Sequence, residues 1–420
     1  MATPVGDSYS APSGGVIAAG RFSQSIRDIA ADGIWTWYTD PRAVYRNGAT
    51  YIMAVDSAGH CLILKHVHAT NVTTSYDLSG FLEIDDHNNG SLIFLPDGRI
   101  VAFYGLHNDS VIRYRVSTNP EDISAWSAEQ LRGSSQGPYS YPQPFILSIH
   151  PAKHWLFFRR HTDGTGNTRS LSFRTSPDFG TVPATISAYT DVLLQTNARP
   201  YCKSVSDGVS KIHFCATSAH PNEATYISVN HFYMQVDAGG NPTFHKSDGT
   251  TITAPFAVAD MTRVDSGADM KRWNSDIAIG GDGHPRILWM RYPNNNGTDI
   301  RYMYSRWTGS AWTEVEICAD GAGLYAGEQY YHGGLCFDSA DPDIIYLSAP
   351  VSGVREIQKW RTTDNGATWA KVKDITSGTP AGTVNGRPYS PRNYVGMPVI
   401  WWSGRYTTYL DYDTAVKGLR

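Results

Sequence analysis

The stretch DDHNNGSLIFLPDGRIVAFYGLHND, from Asp85 to Asp109, contains the pattern that decides the fold. Two short apolar β-rich runs flank the turn Pro96-Asp97-Gly98, which is typical of a β-hairpin. His87 precedes the first run and His107 follows the second. Because a hairpin brings its open ends together, we expect the two histidines to lie side by side at one rim of a sheet, in a dense group of Asp and Asn side chains.

Similar turns, each followed by a β-rich apolar run, recur along the whole chain. Each copy predicts the inner hairpin of a four-stranded sheet, and such sheets recurring at this spacing are typical of propeller blades. The sequence therefore predicts an all-β fold, a seven-bladed β-propeller with four-stranded antiparallel blades. The copies are DSAGHCLILKH from Asp56, PDGRIVAFY from Pro96, HPAKHWLFFR from His150, SDGVSKIHFC from Ser206, GDGHPRILWM from Gly281, SADPDIIYLS from Ser339 and SGRYTTYLDY from Ser403.

The two ends of the chain carry further expectations. Residues 1–15, rich in Ser, Pro and Gly, are predicted to form an N-terminal strap, and residues 16–420 a single propeller domain. We expect the last strand, near 405–412, to pair with a strand around 35–44, because joining the first blade to the last removes two exposed sheet edges.

Composition narrows the classes of function. Of 420 residues, 18% are charged and 12% aromatic, and the formal net charge is −4. This balance does not favour a nucleic acid or an anionic membrane as partner, and no apolar run is long enough to span a membrane. No signal peptide is visible; we nevertheless expect a secreted monomer whose leader is absent from this sequence.

The segment TTDNGATW, from Thr362 to Trp369, fits the Asp-box pattern [ST]-x-D-x-G-x-x-W. In such a turn the Asp side chain hydrogen-bonds the local backbone and the Trp packs beneath it. We interpret it as a folding element of a propeller blade, without a catalytic role.

Polar and aromatic side chains adjoin the hairpins of three successive predicted blades. They are the two histidines, Tyr141 and Arg159 flanking the next hairpin, and Tyr201 before the one after. Glycoside hydrolysis usually needs two carboxylates flanking the scissile bond, and adjacent Asp residues on an extended chain point apart. β-Elimination from a uronic acid fits better, since Arg and His can neutralise the carboxylate and Tyr can transfer protons. We predict that Tyr141 carries the proton transfers, helped by a histidine.

Several segments resemble the BNR-4 group of seven-bladed propeller polysaccharide lyases, which includes ulvan lyases and rhamnose–glucuronate lyases. The resemblance extends from about Gly33 to Lys417 and rests on DDHNNGSLIFLPDGRI, YSYPQPFIL with WLFFRR, ARPYCK with IHFCATSAHP, WNSDIAIGGDGHP and VIWWSGRYTTYLDYDTA. It implies a lyase whose catalytic residues correspond here to His87, His107, Tyr141, Arg159 and Tyr201.

Two neighbours compete for these assignments. Tyr139 would share the face of Tyr141 on a regular strand, whereas strand alternation would turn Arg160 away from Arg159. We assign substrate contacts to Asn88, Arg199, Tyr139 and Tyr331.

Metal binding is a further implication of the resemblance, because some members of the group hold a structural ion. The chemistry itself requires no cofactor, but a structural calcium or zinc ion is an open alternative. We name His220 and His231 as ligands, from a pool that also contains His213, Cys215 and Asp163.

The resemblance thus implies a lyase that cleaves the bond between L-rhamnose and C4 of D-glucuronate, leaving a 4,5-unsaturated uronate. Both ulvan-type chains and rhamnosyl-glucuronate caps contain that linkage, and endo or exo action stays open. One alternative is a sialidase-like hydrolase with an arginine clamp drawn from Arg199, Arg387 and Arg392. Another is a carbohydrate-binding propeller without catalysis.

Overall fold

The computed structural model describes residues 25–133, 137–162, 168–267 and 270–420, and the predicted N-terminal strap lies outside them. Within these residues the strands form seven antiparallel sheets. The first strands of neighbouring sheets contact one another, as in the pairs beginning at Ser91 and Tyr139 or at Cys202 and Lys271. The first strands therefore line a central axis, and the sheets are the seven blades of a propeller, as predicted.

The strands are numbered in chain order, and the first of them belongs to the last blade. Strand β1 is Ile26–Ala30. The first blade contains β2 (Ala43–Arg46), β3 (Ala49–Val55), β4 (His60–Val67) and β5 (Val72–Phe81); the second contains β6 (Ser91–Phe94), β7 (Ile100–Tyr104), β8 (Val111–Val116) and β9 (Gln130–Gly133). The third contains β10 (Tyr139–Ile146), β11 (His154–His161), β12 (Arg169–Ser176) and β13 (Thr190–Gln195).

The fourth blade exceeds the predicted four strands. It contains β14 (Cys202–Ser206), β15 (Lys211–Thr217), β16 (Val229–Val236) and β17 (Pro242–His245), with the two-residue strands β18 (Thr251–Ile252) and β19 (Thr262–Arg263) added. The fifth contains β20 (Lys271–Ile279), β21 (Pro285–Tyr292), β22 (Ile300–Arg306) and β23 (Val315–Gly321). The sixth contains β24 (Leu335–Phe337), β25 (Ile344–Val351), β26 (Val354–Arg361) and β27 (Ala370–Asp374).

The seventh blade closes the ring with strands from both ends of the chain. It contains β28 (Val384–Tyr389), β29 (Val399–Thr408) and β30 (Asp411–Leu419), and β1 pairs antiparallel with β30. Closure by the two termini is as expected, but the predicted segments are wrong. Residues 35–42 instead form a buried connection that leads into the inner strand β2.

Packing between blades determines which strands are apolar. Strands β3 and β7 are buried along their full length, because each lies in the middle of a blade covered on both faces by neighbours. Their sequences, ATYIMAV and IVAFY, are accordingly continuous apolar runs and do not alternate.

Two 3₁₀ helices, Asp86–Asn88 and Val258–Asp260, lie between strands. No helix of the described residues is long and apolar enough to cross a membrane.

Five of the seven recurring turns join the first and second strands of a blade in the described residues, as predicted. The turn from Asp56 instead lies between second and third strands, and Ser403-Gly404 of the last copy lie inside the second strand β29, which is followed by the turn at 409–410. In the first blade the inner hairpin turns at Asn47-Gly48, which has positive φ at both residues. Asn-Gly is a strong two-residue hairpin signal, and it would have located this turn from the sequence.

The Asp-box prediction is confirmed in its geometry. Asp364 Oδ1 accepts hydrogen bonds from the Thr368 amide (2.9 Å) and the Thr362 hydroxyl (2.8 Å), and the Trp369 ring packs edge-on against Tyr304 at 5.1 Å. Gly366 has φ +85° and lies against Tyr304, where a Cβ would be 2.1 Å from Cε1 of the ring. The turn therefore fastens the sixth blade to the fifth.

Candidate active site

The predicted catalytic residues lie near the beginnings of first strands or near the ends of the second strands paired with them, and these positions meet at one end of the central axis. His87 and His107 flank the hairpin of β6 and β7, as predicted, and their rings are stacked at 3.9 Å with an interplanar angle of 1°. Tyr141 lies within β10 and Tyr201 directly before β14, with their ring centroids 5.9 Å apart. The hairpin geometry thus brings all these side chains into one group.

Asp85 joins the two histidines. Its Oδ1 lies 2.6 Å from His87 Nδ1, and its Oδ2 lies 3.1 Å from His107 Nδ1. Asp85 also accepts a hydrogen bond from the His87 amide at 2.8 Å, as the N-cap of the 3₁₀ helix. One carboxylate therefore fixes both rings and directs both Nε2 atoms away from it.

The two histidines carry different charges. Burial alone would lower the pKa of His87, but Asp85 and Asp86 outweigh it and raise this pKa to about 10. Burial, together with the adjacent His87 imidazolium, lowers the pKa of His107 to about 4. At neutral pH His87 is therefore a cation, whereas His107 is neutral and donates its Nδ1 proton to Asp85.

His107 Nε2 is consequently an acceptor, and it faces the Tyr141 hydroxyl at 3.5 Å. This is longer than an ordinary hydrogen bond, as catalytic contacts often are before substrate binds. His107 is also the more accessible of the pair, with 22% of its side chain exposed against 4% for His87.

Arg159 is inserted between two tyrosines. Its guanidinium carbon lies 4.6 Å from the ring centroid of Tyr141 and 4.8 Å from that of Tyr201. Its Nε donates to Ser140 Oγ at 3.0 Å, whereas its buried NH1 has no hydrogen-bond partner among the described residues. A buried guanidinium nitrogen without a partner is a costly arrangement that an anionic ligand relieves.

The two tyrosines differ in acidity because Arg159 acts on them unequally. Burial would raise the pKa of Tyr201, but Arg159 and Arg199 lower it below its ordinary value. Burial and the adjacent Tyr201 keep the pKa of Tyr141 well above its ordinary value. Tyr141 is therefore a phenol at rest.

Tyr141 owes its position to an irregular strand. The pairing of β10 with β11 shifts register between Ser140 and Gln143, and Tyr141 has φ +59°. Positive φ is uncommon for an aromatic residue and marks a locally strained bulge. The bulge breaks the alternation on which the predicted equivalence of Tyr139 and Tyr141 depended.

The sequence model of the BNR repeat-containing family matches residues 37–319, more than half of the chain. The chain belongs to the BNR repeat-containing family. The matched region of this BNR chain contains every predicted catalytic residue but ends before the Asp-box. No curated protein sequence matches the chain.

Solved structures share the fold of this BNR family member at low identity. An ulvan lyase, described as a new family of polysaccharide lyase (PL25), superposes with a TM-score of 0.70 at 14% identity, covering 93% of this chain and 94% of its own. The same description with bound -[GlcA(1-4)Rha3S]- gives 0.70 at 15% identity, with the same coverage. The polysaccharide lyase Uly1 gives 0.56 at 13% identity, covering 94% of this chain and 97% of its own.

The predicted substrate-contact residues of the BNR chain divide between site and core. The Tyr331 hydroxyl accepts a hydrogen bond from Nε2 of the His87 imidazolium at 3.1 Å, and Arg199 is close enough to affect Tyr201 while paired with Glu223. Asn88 is buried and donates to the Glu83 carbonyl at 3.2 Å. Tyr139 packs in the core against Phe158 at 5.4 Å, which does not support its assignment as a substrate contact.

Arg160 and Arg159 separate as strand alternation requires. Arg160 binds Asp191 at 2.7 Å and stacks on Tyr189 at 3.9 Å, on the other face of β11. Of the two arginines, Arg159 is therefore the one in the site.

The proposed metal ligands are not brought together. The His220 ring packs against Tyr201 and Trp273, whereas His231 contacts His213 (3.1 Å) and Ser247 (2.8 Å). Asp163 lies outside the described residues. In the described part of the chain, potential ligand atoms gather at Asp85, His87 and His107, where they already pair with one another. We describe that group as a hydrogen-bonded acid–base network.

The arginines of the sialidase alternative are also dispersed. Arg387 is buried against Asp86 (2.6 Å), and Arg199 pairs with Glu223. Arg392 lines a cavity of about 360 Å³ formed by the far ends of β14, β20, β24 and β28, at the opposite end of the axis from the histidines. These three side chains form no carboxylate clamp.

Two functional neighbours were missed from the sequence. The Tyr409 ring lies edge-on 5.4 Å from His87, and Asp86 lies 2.9 Å from the same imidazole. Tyr409 is in the turn between β29 and β30, so only ring closure brings it to the second blade. Asp86 was visible in the sequence, but it was set aside because adjacent residues of an extended chain point apart; the 3₁₀ turn allows both carboxylates to face one ring.

Proposed function

We propose that this protein is a polysaccharide lyase that cleaves a uronate-containing polysaccharide by β-elimination. The observation that carries the proposal is the convergence of neutral His107, Tyr141 and the partly unpaired Arg159. This set can neutralise a carboxylate and move a proton beside it. The shared fold with polysaccharide lyases, one of them solved with -[GlcA(1-4)Rha3S]-, supports the same reaction class.

Arg159 is the proposed carboxylate site. Its NH1 is buried without a partner among the described residues, and two tyrosine rings hold the guanidinium plane in place. Binding the C5 carboxylate there neutralises the charge that develops on the carboxylate as the C5 proton leaves. Preorganised charge in a buried site is an effective way to lower such a barrier.

Tyr141 and His107 are the proposed proton-transfer pair. In glucuronate, H5 and O4 lie on the same face of the ring, so one phenol can serve both atoms. As Tyr141 takes the C5 proton, its own hydroxyl proton moves to His107 Nε2; the electrons of the C5–H bond form the C4–C5 double bond. The C4–O4 bond breaks, and O4 leaves with a proton returned through Tyr141. Water is not consumed.

The proposed substrate contains L-rhamnose linked to C4 of D-glucuronate. A net charge of −4 favours an unsulfated chain over a sulfated one. Both ulvan-type chains and rhamnosyl-glucuronate caps remain within the proposal, as does action outside the cell.

The test is absorbance near 235 nm after mixing the protein with a panel of polysaccharides. We expect a rise with rhamnose–glucuronate polymers, because only elimination creates the conjugated double bond. Matched sulfated and desulfated ulvan distinguish the two substrate types. A panel containing these linkages that gives no rise at any pH between 5 and 9 would contradict the proposal.

A further inference from the structure

A buried group of charges lies behind His87, on the side away from Tyr141. Arg387 of β28 donates from NH1 to Asp86 Oδ2 at 2.6 Å and from NH2 to the Tyr406 hydroxyl at 2.8 Å. Tyr406 in turn donates to the same Asp86 oxygen at 2.8 Å. Asp86 is fully buried and Arg387 is 1% exposed. Two residues of the seventh blade thus hold a carboxylate of the loop that begins the second.

Arg387 lies in an irregular part of strand β28. The residue has φ +47°, within a register shift of the β28–β29 pairing. Its guanidinium carbon lies 3.8 Å from the ring centroid of Trp37, and NH1 also donates to the Trp35 carbonyl at 2.8 Å. Gly386 allows the close approach of Trp402, since a Cβ there would lie 2.5 Å from the indole.

The other oxygen of Asp86 faces His87. Asp86 Oδ1 lies 2.9 Å from His87 Nδ1, whose hydrogen is directed at Asp85 Oδ1 at 2.6 Å. Asp86 therefore contributes charge to His87 rather than a second directed hydrogen bond. The charges of the two carboxylates (Asp85 and Asp86), the His87 imidazolium and the Arg387 guanidinium sum to zero. Without Arg387, two buried carboxylates would share one cation, which favours protonation of one of them.

We infer that Arg387 and Tyr406 are positioning residues that fix Asp86 and thereby keep His87 a stationary imidazolium. The stacked His87 ring and the shared Asp85 then hold His107 with its Nε2 towards Tyr141. The catalytic meaning of this role rests on the proposed function, but the charge of His87 can be measured without it.

Several other titratable groups face His87, and each could affect its charge. They come from its own loop, from the neighbouring hairpin and from the third, sixth and seventh blades: Asp85, Asp86, His107, Tyr141, Tyr331 and Tyr409. Asp85 and Asp86 supply the negative charge. The pKa of Tyr331 is raised well above its ordinary value by burial, so it remains a neutral phenol.

Imidazole NMR of the whole protein tests the inference, with the His87 signal assigned by its loss in His87→Gln. In the wild type we expect His87 to remain an imidazolium at neutral pH and to lose its proton as pH rises through about 10. In Asp86→Asn, with one carboxylate removed, this loss should occur at lower pH. Identical titration in both proteins would overturn the inference, whether or not the protein is a lyase.

Turnover then tests positioning. Tyr406→Phe removes one hydrogen bond to Asp86 but keeps the ring, and Arg387→Lys removes the planar guanidinium that binds Asp86 and Tyr406 together. We expect kcat to fall in both variants, by up to about 10²-fold for Arg387→Lys, with little change in KM. The alkaline limb of the pH profile should move to lower pH in Asp86→Asn, which removes a negative charge beside His87. Tyr346→Phe and Arg355→Lys, which alter a buried Tyr–Asp pair (Tyr346–Asp338) and a buried Arg–Asp pair (Arg355–Asp320) elsewhere, are the controls. If folded Tyr406→Phe and Arg387→Lys keep full kcat, the positioning role is wrong.

Discussion

Arg159 gives the sharpest prediction for a single residue. In Arg159→Lys the charge remains, but the flat fork that binds a carboxylate and stacks between two rings is lost. We expect transition-state stabilisation to fall by about 2–4 kcal/mol, measured as kcat/KM, with little change in Tm. Arg160→Lys is the matched control, since Arg160 pairs with Asp191 on the other face of the strand. Near-normal turnover in Arg159→Lys would remove it from the site.

Tyr141 can be tested by removing one oxygen atom. Tyr141→Phe should abolish the absorbance change near 235 nm while substrate still binds in calorimetry, because the ring and the Arg159 contact remain. Tyr139→Phe, two residues away in the core, should stay active. If Tyr141→Phe is active and His107→Ala is inactive, the histidine is the base, and the division of roles changes while the lyase class survives.

At this scale, the sequence predicted some positions for good physical reasons and missed others. Hairpin geometry brought His87 and His107 together, and strand alternation separated Arg159 from Arg160. Alternation failed at Tyr139 because the bulge at Tyr141 depends on a local backbone irregularity, which residue types do not reveal.

Among the structural elements, the Asp-box turn is the clearest target. Gly366→Ala places a methyl group against the Tyr304 ring at a residue with φ +85°, so both a clash and backbone strain oppose it. We expect a loss of roughly 1–3 kcal/mol in the free energy of unfolding, measured by denaturant titration. Activity of the folded protein should persist, because the turn is not part of the site.

Gly353→Ala is the control for that turn, with φ +86° but no atom within 4 Å of the added Cβ. We expect a smaller loss in the free energy of unfolding, since only the backbone strain at positive φ opposes this substitution. Equal losses in the two variants would mean that contact with Tyr304 does not matter.

The turns also explain why the sequence predicted the positions of the strands only in part. Five inner hairpins followed the recurring turn, but the first blade uses Asn47-Gly48, a signal present in the sequence and not used. Strand β1, IRDIA, has little apolar alternation because it lies at the outer edge of its blade, so the closing strand was sought elsewhere.

For the whole molecule, ring closure is the testable property. Removing residues 1–30 deletes β1 and leaves β30 as an open edge, so we expect a lower Tm and aggregation, seen by thermal unfolding and light scattering. Removing residues 1–24 keeps β1 and is the control. Identical behaviour of the two shortened proteins would show that β1 contributes nothing to closure.

Closure also accounts for the site contacts that sequence reasoning could not reach. Arg387 and Asp86 are 301 positions apart and meet only because the seventh blade lies beside the first two around the axis. Local patterns predict strands and turns, whereas a contact of this kind depends on the number of blades and the order of their closure.

The most direct test of the central claim is the mass and absorbance of the product released from a rhamnose–glucuronate polysaccharide. A lyase forms the new end without adding water. We predict a product with a 4,5-unsaturated uronate, absorbing near 235 nm and lighter by one water than the hydrolysis product. Chain cleavage that yields the hydrated product, with no absorbance at 235 nm, would contradict the account.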